Sequence, residues 1–240
     1  MVDEKLLKDS DKLYDKEEFS RALKGYLQIY SDYKENDALF LSNLLLKISQ
    51  CYLYNSPADI SKSKEYAEKA LEIHINEGDD LKIAKDLIYL STIDLENDQK
   101  NAEDNLQKAL DLALKNKNQY IEAEIFNHLG ILYWSDKEKA MEYFKKAKDI
   151  SEKNKDLENF VLSLQNISYL EREHGELNKA LEYLMSAIDL IDSYTKSLKK
   201  TERKAFKNSY SDIYDSAADL AMEMEDVELA MNIAAKLKEY

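Results

Sequence analysis

The chain has 240 residues with only four glycines and one proline, and it contains 48 aspartates and glutamates against 34 lysines and arginines. So few turn-forming residues exclude a turn-rich β-sandwich and a glycine-lined phosphate loop, while Leu, Ala, Lys and Glu favour helix almost everywhere. The net charge of −14 repels a polyphosphate backbone, so nucleic acid is not an expected partner.

The predicted helices follow from apolar periodicity interrupted by short polar turns. In chain order they cover residues 3–15, 17–33, 37–54, 59–77, 80–96, 100–116, 119–134, 136–154, 157–174, 177–195, 198–224 and 226–240. Turns such as EGDD (77–80), NKNQ (116–119) and NKDL (154–157) separate successive helix pairs. The sequence predicts an all-α protein with one elongated domain over residues 1–240 and no flexible linker.

Compartment and redox state are indicated by the termini and by cysteine usage. No apolar run approaches the roughly 20 residues that a membrane-spanning helix needs. The N-terminal segment MVDEKLLKDSDK is charged where a signal peptide would be apolar, so we expect a cytoplasmic protein that does not enter the membrane. The single cysteine, Cys51, lies among apolar helix residues and is expected to be a buried small side chain rather than a reactive thiol.

The segment LGILYWSDKEKAMEYFKKAKDI (129–150) contains Gly130, Ala140, Phe144 and Ala147 at intervals that return along the chain. A small residue early in the second helix of each pair recurs about every 40 residues, except in the last interval: Ala22, Ser63, Ala102, Ala140, Ala180 and Ala230. Small residues let two antiparallel helices cross closely, and aromatic side chains fill the space beside the crossing. Each pair still exposes an apolar face, so stacking of the pairs into a solenoid is predicted.

This LG..Y…A…F..A order resembles the tetratricopeptide repeat (TPR) family over nearly the whole chain. The resemblance implies a right-handed α-α superhelix of about six helix pairs, at 3–33, 37–77, 80–116, 119–154, 157–195 and 198–240. The long period is similar to that of kinesin light chains and bacterial peptide-sensing regulators. The family's helix-ending proline is missing, and Leu90 and Glu171 stand where a small and an aromatic residue are expected. The segment from Arg203 onward also resembles the last repeat before the protease domain of TPR-CHAT proteins.

Residues for catalysis or metal binding do not form a recognisable set in the sequence. His74, His128 and His174 lie in different repeats, and there is no H-E-x-x-H, C-x-x-C or Ser-centred elbow. Acidic stretches such as EMEDVE (223–228) lack the ligand order of a calcium-binding loop. We therefore expect neither an enzyme nor a bound metal or cofactor.

In the fold that the resemblance implies, the first helix of each pair lines a concave groove. Projecting the repeat onto the chain selects candidate contacts for a bound peptide or protein segment: Asn43, Gln50, Tyr54, Ser91, Asp94, Asn127, Ile131, Trp134, Gln165, Tyr169, Arg172, Asp215 and Asp219. Amides and hydroxyls pair with a peptide backbone, and Trp134 and Tyr169 are candidate anchors. A packing role for Trp134 and simple solvent exposure for Asn127 remain open.

The family's clamp for a C-terminal carboxylate uses lysine, asparagine and arginine, whereas this chain has Asp11, Gln50 and Lys47 at the matching places, so such a clamp is not expected. Asp215 and Asp219 suit a basic or amphipathic partner. The basic stretch at 195–208 is either a solvated helix or a contact for an acidic surface.

The apolar residues of the 226–240 segment predict that this helix packs on another chain, exchanges with one, or marks a truncation.

The leading hypothesis is a non-catalytic scaffold that binds a protein or peptide segment in its groove. The alternative is a regulatory or sensor arm of a larger assembly, either a peptide-responsive regulator or a protease-linked array of the TPR-CHAT kind. The sequence lacks a helix-turn-helix with a basic recognition helix, which weakens the transcriptional version of that alternative.

Overall fold

The computed structural model describes residues 2–34 and 37–238, and within these ranges the chain forms thirteen helices and no strand. They are α1 (Glu4–Tyr14), α2 (Phe19–Asp32), α3 (Ala38–Tyr54), α4 (Ile60–Glu77), α5 (Asp80–Asp94), α6 (Gln99–Lys115), α7 (Gln119–Leu132), α8 (Lys137–Asn154), α9 (Leu157–Glu173), α10 (Leu177–Ser197), α11 (Lys200–Asn208), α12 (Ser211–Glu223) and α13 (Val227–Leu237). The predicted all-α fold is confirmed. None of the described helices combines the length and apolar character needed to cross a membrane. The last two residues of the predicted 226–240 helix lie outside the described ranges.

The chain divides into two compact units, Met1–Lys117 and Asn118–Tyr240. The first unit contains the helix pairs α1–α2, α3–α4 and α5–α6. The second contains α7–α8 and α9–α10, followed by the short α11 and the pair α12–α13. Within each unit successive pairs also pack on one another, so that each unit is a stack of helix pairs. The single solenoid domain over residues 1–240 stays a prediction.

Aspartate and asparagine side chains start most of the helices. At Asp3, Asp37, Asp59, Asp79, Asp98, Asn118, Asp136, Asp156 and Asp226 the side-chain oxygen accepts a hydrogen bond from the backbone N–H three residues later. Such caps satisfy N–H groups that have no partner inside the helix. Gly78 ends α4 in the left-handed conformation, with φ of 69°, which explains why the predicted EGDD turn contains a glycine.

The helices of a pair cross at small residues, as the repeat pattern predicts. A Cβ atom on Gly130 of α7 would lie 2.3 Å from the ring of Phe144 in α8, so the two helices approach as closely as the missing side chain allows. In α3–α4 the Ser49 hydroxyl donates a 2.6 Å hydrogen bond to the carbonyl of Ser63. The six recurring small residues of the sequence pattern are all buried. The pattern of small residues therefore marks the contacts between the two helices of each pair.

The predicted helix 198–224 was wrong as a single element, because the structure breaks it into α11 and α12. Ser209 and Tyr210, which are weak helix formers, occupy the break, directly after Asn208, the last residue of α11. The Ser209 hydroxyl donates to the carbonyl of Phe206 at 2.6 Å and so satisfies one acceptor of the last turn of α11. Sequence reasoning missed this break because it contains neither glycine nor proline.

Lys207 anchors the last three helices and is the one buried residue of α11, at 1% exposure. Its ammonium group lies 2.7 Å from a carboxylate oxygen of Asp192 in α10 and donates at 2.6 Å to the carbonyl of Lys236 in the last turn of α13. The hydroxyl of Tyr214 in α12 donates to the same Asp192 oxygen at 2.7 Å. A buried cation requires such partners, so α11 joins α10 to α13. This residue of the basic stretch is therefore not solvated, although most of its other lysines are exposed.

We predict that Gly130→Ala destabilises the protein. The added methyl group overpacks the buried Phe144 ring, which costs about 1–3 kcal/mol, and the better helix propensity of alanine offsets only about 1 kcal/mol. Urea unfolding followed by circular dichroism should show a lower midpoint. In a Phe144→Leu background, where the ring is absent, the same Gly130→Ala change should be neutral or stabilising. An equal loss of stability from Gly130→Ala in both backgrounds would contradict the contact between residue 130 and the Phe144 ring.

We also predict that Cys51 is unreactive in the folded protein. Its side chain is fully buried, and burial raises the pKa of the thiol to about 12, so almost no thiolate exists at neutral pH. Labelling with a thiol-specific reagent should be negligible without denaturant and should reach one group per chain after unfolding. Rapid labelling under native conditions would show that α3 opens readily.

Candidate protein-binding faces

A ladder of polar contacts joins the first helices of two successive pairs in the second unit, α9 and α12. The side-chain amide of Gln165 donates to a carboxylate oxygen of Asp212 at 3.0 Å, and the hydroxyls of Tyr169 and Ser216 lie 2.9 Å apart. The Gln165 amide also donates to the Tyr169 hydroxyl at 2.8 Å. Residues four apart lie on one side of a helix, so these contacts form a continuous polar surface. We call it, with Arg172, Asp215, Asp219 and Glu223, the α9–α12 face.

Charged residues complete this face at its far end. The guanidinium group of Arg172 donates to a carboxylate oxygen of Glu223, with Nε at 2.8 Å and Nη2 at 2.6 Å. Both side chains are about 40% exposed, so the pair contributes little to stability. Asp215 and Asp219 are exposed and, among the described residues, have no ion-pair partner. The face thus contains two unneutralised carboxylates one helical turn apart.

Sequence reasoning identified five members of this face, Gln165, Tyr169, Arg172, Asp215 and Asp219, and the structure brings them together on α9 and α12. It missed Asp212, Ser216 and Glu223, which pair with them. These three residues are spaced four and seven positions apart on α12, which places them on one side of that helix. That spacing is the sequence signal that indicates them as partners of the α9 residues.

A cleft between α1 and α3 brings together candidate residues in the first unit. It has a volume of about 440 Å³. Its lining consists of Leu7, Asp11, Phe40, Asn43, Leu44, Leu46, Lys47 and Gln50. Asn43 is exposed, whereas the amide oxygen of Gln50 accepts a 2.9 Å hydrogen bond from the hydroxyl of Tyr14. We call this site the α1–α3 cleft. Tyr54, one turn beyond Gln50, is 53% exposed and its ring contacts that of Phe19 at 5.6 Å.

The charges in the α1–α3 cleft neutralise each other. The Lys47 ammonium group lies 2.5 Å from a carboxylate oxygen of Asp11, and the Tyr26 hydroxyl donates to the same oxygen at 2.7 Å. Burial, together with the hydrogen bond to Asp11, raises the pKa of Tyr26, so it remains a neutral donor. The cleft therefore combines apolar side chains with amide groups and has little net charge to attract an ionic ligand.

Ser91 and Asp94 are corrections to the sequence analysis, because both are buried and cannot contact a partner. Helix α5 is covered on more than one side, and eight of its 15 residues are buried. The Ser91 hydroxyl donates to the carbonyl of Ile88 at 2.6 Å. The Asp94 carboxylate accepts from the Lys64 ammonium group at 2.6 Å and from the Asn101 amide, and so joins α4 to α6.

Asn127 is a third correction, since its side chain is fully buried. Its oxygen accepts a 3.0 Å hydrogen bond from the Ser163 hydroxyl, which joins α7 to α9. Ile131 and Trp134 are half-buried and pack against the cluster that contains Phe144, with the indole ring 6.0 Å from the Phe144 ring. The indole N–H donates to the carboxylate of Glu173. The packing interpretation thus applies to Trp134, although part of its surface stays accessible.

A serine, a histidine and an aspartate meet in the first unit, which sequence reasoning missed. His74 Nε2 lies 3.0 Å from the Ser42 hydroxyl, and His74 Nδ1 lies 2.5 Å from a carboxylate oxygen of Asp86. This is the order of groups in a hydrolase triad, but all three residues are at most 3% exposed. Ser42 also lies inside α3, where backbone N–H groups are used by the helix and cannot form an oxyanion hole.

The Ser42–His74–Asp86 cluster is better explained as a polar contact that joins α3, α4 and α5. Burial raises the pKa of Asp86, while the hydrogen bond from His74 opposes this rise. A signal in the sequence was weak, because the three residues are separated by 32 and 12 positions. Among the described residues there is no group of three or more His, Cys, Asp or Glu side chains placed to hold a metal ion.

We predict that His74→Leu destabilises the protein by about 3 kcal/mol, because it leaves the buried Asp86 carboxyl without its partner. Adding Asp86→Leu should recover much of this loss, since an apolar pair of similar volume needs no hydrogen bonds. Denaturant unfolding of the three variants measures the effect. His174→Ala is the control; it lies at an exposed helix end and should cost less than about 1 kcal/mol. A neutral His74→Leu would contradict the cluster.

Comparison with solved structures supports the assignment of the fold. Aspartyl phosphate phosphatase F from Bacillus subtilis is 18% identical, with 98% of this chain and 68% of that chain covered and a TM-score of 0.68. A Rap protein complexed with Competence and Sporulation Factor is 18% identical over 97% of this chain and 73% of that one, with a TM-score of 0.65.

A third neighbour is a signal transduction ATPase with numerous domains from Pyrococcus horikoshii, which has a tetratricopeptide repeat sensor. It is 17% identical over 98% of this chain but only 36% of that longer chain, with a TM-score of 0.62. A scan against protein-family models finds no match, and a search of curated protein sequences finds no significant one.

These similarities, with the stacked helix pairs and their small-residue crossings, define a helical-repeat fold. Within that class the chain has the tetratricopeptide repeat fold, as the sequence pattern predicts.

Proposed function

We propose that the chain is a non-catalytic protein-interaction module and that its α9–α12 face binds a basic or amphipathic segment of another polypeptide. The observation that carries the proposal is the pair of exposed, unneutralised carboxylates of Asp215 and Asp219, beside the half-buried Tyr169. Carboxylates accept charge-assisted hydrogen bonds from lysine or arginine, and a tyrosine at the same face provides contact area and a hydrogen bond.

The α1–α3 cleft is a second surface for the same function. Its apolar lining accommodates a side chain of a bound segment, and the exposed amide of Asn43 can pair with a peptide backbone. Because the cleft lies in the other compact unit, its occupancy is separable from that of the α9–α12 face by mutation.

Self-association through α13 belongs to the same proposal. Val227 and Met231 are 51% and 69% exposed on this helix, while Ala230 and Ile233 are buried against the rest of the unit. An amphipathic helix normally exposes a polar face, so this second apolar face favours contact with another chain.

A regulatory or sensor arm is the second candidate function. Two of the similar structures favour it: a Rap protein complexed with Competence and Sporulation Factor, and an ATPase whose tetratricopeptide repeats are described as a sensor. In such a role the same faces would receive a signalling peptide. The protease-linked array remains a prediction from the C-terminal resemblance.

The test is a fluorescence anisotropy titration of the full chain against a panel of basic, amphipathic and acidic synthetic peptides. Basic or amphipathic members should bind, and binding should weaken with added salt because exposed charges are screened. The variant Asp215→Asn/Asp219→Asn should weaken that binding roughly tenfold or more, since it removes charge-assisted hydrogen bonds.

Glu68→Gln/Asp104→Asn is the matched control. It changes the net charge equally at two exposed positions on α4 and α6, outside the face, and should leave binding unchanged. If the control variant weakens peptide binding equally, the loss comes from the change in net charge and not from the α9–α12 face. Unchanged binding in Asp215→Asn/Asp219→Asn would remove the face from the site.

A further inference from the structure

A groove lies between α8 and α10, the second helices of two successive pairs in the second unit. It consists of two adjoining cavities of about 490 Å³ and 590 Å³, and both are lined by Glu152, Phe160 and Leu190. Phe160 and Leu190 are half-buried, so apolar surface is accessible in the groove. None of the functional residues predicted from the sequence lines it.

Helix α10 presents a regular stripe to this α8–α10 groove. The stripe consists of Tyr183, Ser186, Leu190, Ser193 and Ser197, spaced alternately three and four residues apart. This is the spacing with which one helix contacts another along its length. The three serines are exposed and small, so they leave room for another helix above Leu190. The opposite side of α10, with Leu184, Ala187, Ile188 and Ile191, is already buried in the core.

Helix α13 has the complementary shape. Its exposed apolar residues Val227, Met231, Ala234 and Ala235 are spaced four, three and one residues apart and lie on one side. Its 11 residues extend about 16 Å at 1.5 Å per residue. The stripe from Tyr183 to Ser197 extends about 21 Å by the same rule, so α13 fits within the groove.

Charge at one end of the groove favours one orientation. The lining residues Lys148 and Glu152 pair with each other at 3.7 Å. Lys155 lines the groove near Ser197, and the exposed Lys199 and Lys200 follow Ser197 after one intervening residue. Asp189 lines the other part of the groove; it lies 3.8 Å from Lys236 of its own chain but keeps 74% of its side chain exposed.

Helix α13 begins with Glu228 in its first turn and has Lys236 in its last. When α13 runs antiparallel to α10 with Met231 in the groove, Glu228 approaches the lysines. Lys236, five residues after Met231, lies on the far side of α13, near Asp189 of its own chain. The spacing agrees, because Glu228 lies three residues before Met231 and Ser193 lies three residues after Leu190, about 4.5 Å along each helix. A parallel orientation would instead bring Glu228 towards Asp189, a like charge.

We propose that α13 of a second copy of this chain occupies the α8–α10 groove, antiparallel to α10, with Met231 against Phe160 and Leu190. The inference rests on the self-association proposed above and adds the receiving surface and the orientation. Because the groove and the helix are different surfaces, the contact is head-to-tail, and a row of copies keeps one unoccupied groove at one end and one unoccupied α13 at the other. Association should therefore continue beyond the dimer as concentration rises.

Two variants, each blocking one surface, make the test. Met231→Glu places a charge on the exposed side of α13, and Ser193→Trp fills the groove from an exposed position, so neither disturbs the core. Sedimentation velocity of the full wild-type chain at low salt, from micromolar to millimolar concentration, should show dimers and larger species. Each variant alone should remain monomeric at the same concentrations.

An equimolar mixture of the two variants discriminates the head-to-tail contact from other modes. It should form a one-to-one dimer and nothing larger, because the α13 of Ser193→Trp still fits the open groove of Met231→Glu. Leu114→Glu, which changes an exposed leucine of α6 in the other unit, is the control and should associate as the wild type does.

A wild-type chain that stays monomeric at all concentrations would overturn the proposal. So would association that survives in both variants, or a mixture that stays monomeric while the wild type associates. If Ser193→Trp instead abolishes peptide binding in the anisotropy experiment, the groove receives another polypeptide and the proposal fails. The effect of Asp215→Asn/Asp219→Asn on peptide binding concerns the α9–α12 face, which is a different surface. Failure of the proposed peptide binding is therefore distinguishable from failure of self-association.

Discussion

Close crossing of the two helices in each pair is the constraint on which the rest of this structure depends. Gly130 can face the ring of Phe144 only because it has no side chain, and Ser49 reaches the backbone of Ser63 because both residues are small. At such a close crossing a large side chain fits only opposite a small one, as the Phe144 ring does opposite Gly130. Other large apolar residues lie beside the crossing and pack on a neighbouring pair, which is why a buried cluster of the second unit combines residues of α9, α10, α12 and α13.

Buried polar groups join successive helices at several of these contacts. The Ser42–His74–Asp86 cluster connects α3, α4 and α5, Asn127 and Ser163 connect α7 and α9, and Lys207 connects α10 and α13. Each group is costly to bury without its partner, so an alternative packing that separated them would be disfavoured. These polar residues are consequently engaged within the chain, and surface for a partner remains on α3, α9, α12, α13 and the α8–α10 groove.

The fold could be predicted from the sequence because the same local sequence pattern recurs in each helix pair. Small residues at about 40-residue intervals, and an aspartate or asparagine before most helices, give the helix pairs and their starts. The break between α11 and α12 could not be predicted in the same way, since Ser209 and Tyr210 are only weak helix formers and neither is a glycine or a proline. It accompanies the burial of Lys207, a contact between residues distant in sequence.

The candidate site was less predictable than the fold. A repeat pattern identifies the first helix of each pair but does not say which polar residues pair with the next helix, and Ser91, Asp94 and Asn127 proved to be buried for this reason. Gln165, Tyr169 and Arg172 lie on an accessible face, yet their partners on α12 appear only in three dimensions. The α8–α10 groove depends on the separation of two helices and on a third between them, which no local pattern encodes.

Hydrogen exchange with mass spectrometry on an Ala140→Leu variant tests the central claim most directly. Ala140 is fully buried in α8, so a larger side chain forces the α7–α8 crossing apart. If the small-residue crossings hold each pair together and each pair stabilises its neighbours, amide hydrogen exchange should accelerate in α7, α8 and the adjoining α9. It should remain unchanged in α3 and α4. A uniform acceleration across all described helices, or none in α7 and α8, would contradict the account.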